Sequence, residues 1–106
     1  MRIAVVNDEG ITFDNGYSIT YYHEQDCCEC NYADFEQIED IAKTYDFDED
    51  DMKFEEVPDS GFRFGDSRRM FFIPCYSCQN GYYSSDVDIY YNDKRVLNID
   101  AEVIEE

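Results

Sequence analysis

Cys27, Cys28 and Cys30 fall within four consecutive positions, Cys75 and Cys78 frame a second Cys-x-x-Cys, and His23 precedes the first group by four residues. Thiolate sulfur and imidazole nitrogen are the ligands that tetrahedral zinc prefers, and two residues between paired cysteines let one tight turn aim both sulfurs at the same ion. Cys27, Cys30, Cys75 and Cys78 are therefore the expected ligand set, with Cys28 and His23 as substitutes. Spacing does not order the first group, because Cys28 with Cys30 also suits a closed site. The expected zinc is structural, since catalytic sites keep an open position beside His or carboxylate ligands and this chain has a single His. The competing reading leaves the cysteines unligated, with Cys27 or Cys28 buried as a small hydrophobe.

Other constellations carry less. Asp46-x-Asp48-x-Asp50 starts like a calcium loop, but Asp51 stands where a Gly is needed and Val57 where a bidentate Glu belongs. His23 near Cys27 offers a base beside a thiol without an orienting group. There is no glycine-rich phosphate loop and no Ser-centred nucleophile motif, so no catalytic residue is expected. Arg63, Arg68 and Arg69 form the one basic cluster and are expected to pair with neighbouring carboxylates.

These groups belong to a chain of 106 residues with 26 acids, 8 Lys and Arg, and a net charge of -18. A composition that is 43% hydrophobic and 17% aromatic is too apolar for a disordered acidic tail. One domain over residues 1–106 is expected, with self-repulsion opposing its folding. The opening apolar run is too short for a secretory signal, which predicts a cytoplasmic protein whose closely spaced cysteines are ligands or redox groups instead of disulfides. No segment has the roughly 18 apolar residues of a membrane span. Acid at this density repels anionic headgroups and nucleic-acid phosphates alike, so the expected partner is a cation or a basic protein surface. Residues 46–59 hold eight of the acids. Asp46, Asp48, Glu49, Asp50, Asp51, Glu55 and Glu56 are the expected partner-binding residues, with Phe47, Met52 and Phe54 as apolar anchors. Plain solubility or salt adaptation competes with that reading.

The elements that must position these groups read as strands with one helix. Residues 2–6, 11–13 and 17–22 predict three neighbouring antiparallel strands, the last two joined at Asn15-Gly16 by a type I′ turn. Phe35, Ile38, Ile41, Ala42 and Tyr45 recur at helical spacing, with Asp34 and Gln37 forming a capping box. A strand is expected at about 52–57, then Phe62-Arg63-Phe64, a turn at 65–67, and the apolar run 68–74. That run should feed the Cys75-x-x-Cys78 knuckle into a turn at Asn80-Gly81. Strands over 82–91 and 94–99 follow. The expected fold class is α+β: an antiparallel sheet with hairpins, one amphipathic helix and a zinc knuckle.

The run His23-Glu24-Gln25-Asp26-Cys27-Cys28-Glu29 resembles the H-x-Q-D-C-C-E signature of a small uncharacterised domain of phages and mobile elements. Small, acidic and cysteine-paired, the whole chain resembles phage-borne anti-CRISPR proteins directed at type II systems, including a zinc-containing kind. That resemblance implies a non-catalytic inhibitor that binds a type II CRISPR effector nuclease and blocks loading of target DNA. The alternative is an acidic zinc-binding interaction or regulatory module of another complex.

Overall fold

The computed structural model describes residues 1–22, 30–79 and 86–105. His23, Cys27, Cys28, the signature run and the expected turn at Asn80-Gly81 lie outside them. Alternating apolar residues and short turns build a mostly antiparallel β structure. Its first sheet runs β1 (Ile3–Asn7), β2 (Gly10–Phe13), β3 (Ser18–Tyr22), β8 (Asp86–Tyr91) and β9 (Lys94–Asp100) in that spatial order. The second runs β10 (Glu102–Glu105), β7 (Met70–Gln79), β6 (Gly61–Gly65) and β5 (Lys53–Val57), with β4 (Cys30–Ala33) also pairing to β7. Only the β10 to β7 pair is parallel among the described strand pairs.

Period-2 patterning puts one face of each sheet into a shared core, because successive side chains of a strand point to opposite faces. Ile11, Phe13, Ile19, Val87, Ile89 and Ile99 enter it from the first sheet, and Phe62, Phe64, Phe71, Ile73 and Cys75 from the second. Phe47 joins them from the connection between β4 and β5, packing on Phe13 at 5.6 Å, Phe64 at 5.5 Å and Phe71 at 5.6 Å between ring centroids.

The expected amphipathic helix is replaced by two short 3₁₀ helices, η1 (Phe35–Gln37) and η2 (Asp40–Thr44). Ile38 and Glu39 between them adopt ψ of 143° and 138°, which ends helical hydrogen bonding. An eleven-residue helix is marginal by itself, and the break lets Phe35, Ile38 and Ala42 all reach the core while Ile41 stays 51% exposed. Asp34 does not cap the backbone with its side chain; its carboxylate accepts from the Gln37 amide at 2.7 Å instead.

The first hairpin also differs from expectation. Gly16 takes a φ of 88° while Asn15 keeps a negative φ, and Gly16 N–H donates to Phe13 O at 3.0 Å. This is a three-residue loop with a bulge at the glycine, not a type I′ turn. Type I′ geometry occurs at Asn92-Asp93, whose φ values are 51° and 65°, between the paired Tyr91 and Lys94. No helix of the described residues is long and apolar enough to cross a membrane.

Candidate metal site and acidic face

Cys75-x-x-Cys78 does not leave a strand for a turn. β7 continues through Gln79, so both cysteines belong to its extended backbone. Three residues apart on a pleated strand they point to opposite faces. Cys75 is fully buried among core residues, next to Ile73 on the same face, whereas Cys78 is half-buried on the outer face with Tyr76. Burial pushes the Cys75 thiol up to about 12, which disfavours the thiolate that a metal needs.

The register of β4 supplies Cys78 with a different neighbour. Cys30 is its direct cross-strand partner, Tyr32 opposes Tyr76, and Ala33 opposes Cys75. Asp34 N–H donates to Pro74 O at 2.9 Å. A bond one step beyond the Ala33/Cys75 pair makes that pair the non-hydrogen-bonded kind, and the two kinds alternate along an antiparallel ladder. Cys30/Cys78, three steps further, is thus a hydrogen-bonded pair. The Tyr32 and Tyr76 rings, 5.6 Å apart, flank the two sulfurs on the same face. Burial, then the charges of Cys78, Asp34 and Cys30, push the Tyr32 hydroxyl up. Beneath, on the buried face, Ser77 donates to the Asn31 side chain, whose amide donates to Asp86 O at 3.2 Å. Among the described residues, no three His, Cys, Asp or Glu side chains gather as a metal group.

The acidic segment is shaped by a residue that the spacing of charges does not single out. Asp66, in the β6 to β7 turn, is 1% exposed. Its carboxylate accepts from Tyr45 Oη at 2.9 Å, Asp48 N at 3.1 Å, Arg68 N and Nη2 at 2.9 Å each, and Arg69 N at 3.2 Å. Burial alone would push this carboxyl up; the donors, led by Arg68, outweigh it and hold it well below the usual carboxylate range. The turn composition Gly65-Asp66-Ser67 signals the local bonds to Arg68 and Arg69. Nothing local signals Tyr45 or Asp48.

Anchored there, residues 45–48 alternate. Tyr45 and Phe47 turn inward, their rings 4.7 Å apart, and Asp46 and Asp48 turn outward. Phe47 is only 2% exposed, so it is a core residue instead of the interface anchor expected of it; Met52 and Phe54 are partly buried against the same core. Several of the expected partner-binding acids also hold the fold. Hydrogen bonds from the Ser67 side chain and from Ser67 N, the latter at 2.9 Å, hold the Asp51 carboxyl below the usual carboxylate range, and Glu49 accepts from the Asn15 amide at 3.0 Å. Glu55 pairs with Arg63, and Glu56 accepts from Asp100 N at 3.3 Å. Asp46 is lowered by the hydrogen bond and charge of the Met1 ammonium, 3.1 Å away. Arg68 pairs with Asp66 and Arg69 with Glu39, as expected of the basic cluster. Asp48, Glu49 and Asp50 all remain exposed at the tip of the segment.

A family described as Domain of unknown function (DUF7448) matches residues 2–89. No curated protein and no solved structure matches.

Proposed function

This chain belongs to the DUF7448 family, and for it we propose a non-catalytic binding role: its acidic face docks on a basic, DNA-facing surface of a type II CRISPR effector nuclease and blocks loading of target DNA. The observation that carries this reading is the division of labour in residues 45–51. Phe47 is buried in the core, Tyr45 packs partly buried against it, and Asp66 fixes the backbone, so what a partner chiefly meets is a held row of carboxylates. Preset negative charge resembles a phosphate backbone electrostatically, and a channel lined by Lys and Arg is its matching receptor. The phage setting comes from the resemblance of His23-Glu24-Gln25-Asp26-Cys27-Cys28-Glu29 to the phage-domain signature, and the type of nuclease from the resemblance of the small, acidic, cysteine-paired chain as a whole to anti-CRISPR proteins directed at type II systems. The same reading places the protein in the host cytoplasm, with no membrane or direct nucleic-acid partner, and includes one structural zinc held by cysteine sulfur.

The test is cleavage of target DNA by a guide-loaded type II effector with increasing amounts of the purified chain. Inhibition that saturates near equimolar inhibitor, weakens steeply with salt and is relieved by excess target DNA is the expected outcome. Undiminished cleavage at large excess, with no capture of the effector, rejects it. Capture that neither salt nor DNA affects would instead support an interaction module of another complex.

A further inference from the structure

We propose that Cys30 and Cys78 form a two-sulfur clip for one thiophilic cation, zinc foremost, across the β4 to β7 ladder, and that Cys75 takes no part in it. The proposal rests on the structural-zinc part of the reading above and changes its ligand set.

The register carries it. Cys30 and Cys78 are direct partners on the outer face of adjacent strands, one exposed and the other half-buried. Both sulfurs therefore leave the sheet in the same direction, which Cys75 and Cys78 cannot do from positions of opposite parity on one strand. The kind of pair also decides between two uses of facing thiols. In a hydrogen-bonded antiparallel pair the Cα atoms are about 5.5 Å apart and the side chains stand further apart than in the alternate kind. An unstrained disulfide needs its Cβ atoms at about 3.5–4.5 Å. Two sulfurs on a tetrahedral zinc, each at about 2.3 Å, are separated by about 3.8 Å and leave their Cβ atoms further apart still. The Cys30/Cys78 register suits a shared ion better than a direct bond. Ligation releases the two thiol protons and forms two sulfur–metal bonds, with no change of oxidation state. Tyr32 and Tyr76 beside the sulfurs shelter one side of the clip, and Asn31 with Ser77 fixes the ladder from beneath.

The experiment is a titration of the full chain with Co²⁺, reading the thiolate-to-cobalt charge-transfer band, followed by displacement with Zn²⁺. The variants are Cys30→Ser, Cys78→Ser and Cys75→Ala. Loss of groups that merely orient ligands weakens metal binding by about 10–100-fold, so each of the first two variants should weaken it roughly tenfold or more and dim the band. Cys75→Ala should leave both affinity and band intensity unchanged. A parallel reading on the unsubstituted chain guards against variants that do not fold: zinc should protect Cys30 and Cys78 from alkylation, mapped by mass spectrometry. Binding that survives Cys30→Ser and Cys78→Ser, that falls equally with Cys75→Ala, or that leaves Cys30 and Cys78 equally alkylated with and without zinc overturns the clip while the zinc reading stands. A chain that binds neither metal overturns both.

Discussion

Tyr45 donates its hydroxyl to Asp66 Oδ1 at 2.9 Å, joining residues 21 positions apart in sequence. The same carboxylate receives Asp48 N–H, so one buried acid fixes both the end of η2 and the start of the acidic segment against the β6 to β7 turn. The Arg68 guanidinium closes the arrangement, 2.9 Å from Asp66 and 5.2 Å from the Tyr45 ring centroid.

Replacing Asp66 should therefore be severe. Asp66→Ala leaves the Tyr45 hydroxyl and the Asp48, Arg68 and Arg69 amides without their acceptor, and at about 1–3 kcal/mol for each donor left unsatisfied out of water it should cost about 3 kcal/mol or more. Tyr45→Phe removes one donor from a carboxylate that keeps its others and should cost about 1 kcal/mol. Urea denaturation of the two variants and their combination measures both, and the combined loss should fall short of the sum because the groups are coupled.

Acid should erase this advantage in a defined direction. The folded Asp66 carboxyl lies below its unfolded value of about 3.9. Its contribution is therefore complete above about pH 4 and is lost as pH falls through the folded value. Asp46 and Asp51 are lowered as well and act in the same sense. The stability gap between the parent and Asp66→Asn should stay constant from pH 7 to about pH 5 and narrow only below about pH 4. A gap that narrows near neutrality would contradict the role given to this carboxylate.

Cys75 should behave as a core methylene that happens to hold sulfur. Its thiol, pushed up to about 12 and fully buried, should resist iodoacetamide at pH 8 until the chain unfolds. Among the described cysteines, exposed Cys30 should react first in metal-free protein. Cys75→Ser, which buries a hydroxyl in apolar surroundings, should cost about 1–3 kcal/mol more than loss of the sulfur alone.

The acidic face and the core beneath it should separate cleanly by substitution. Glu49→Gln with Asp50→Asn removes exposed charge and should change stability by no more than about 0.5 kcal/mol, while reducing both affinity for a basic partner and its salt dependence. Phe47→Ala should cost about 3–5 kcal/mol of stability through the cavity it leaves. If Phe47→Ala folds with its melting temperature unchanged, the aromatic is not the core residue described.

Local chemistry determined most of the strands. The runs 2–6, 11–13 and 17–22 became β1, β2 and β3 as antiparallel neighbours, and Val87 and Ile89 alternate inward against Asp86 and Asp88, because side-chain period 2 survives any tertiary context. The charge, the cysteine-rich composition and the basic cluster's carboxylate pairing were equally legible. Short β4 and β10 were not: four residues each, Cys30–Ala33 and Glu102–Glu105 have no pattern of their own and are strands only because β7 is long enough to pair with them. The helical spacing of residues 35–45 misled for a related reason, since Phe35, Ile38 and Ala42 gain more from reaching a shared core in a broken chain than from one continuous amphipathic turn. For the cysteines, spacing named the residue types, but which sulfurs face each other depends on strand parity and register. Cys30 meets Cys78 and Cys75 faces the core because the pleat reverses direction at every residue and β4 pairs in one register only, a relation between distant segments that no local run contains.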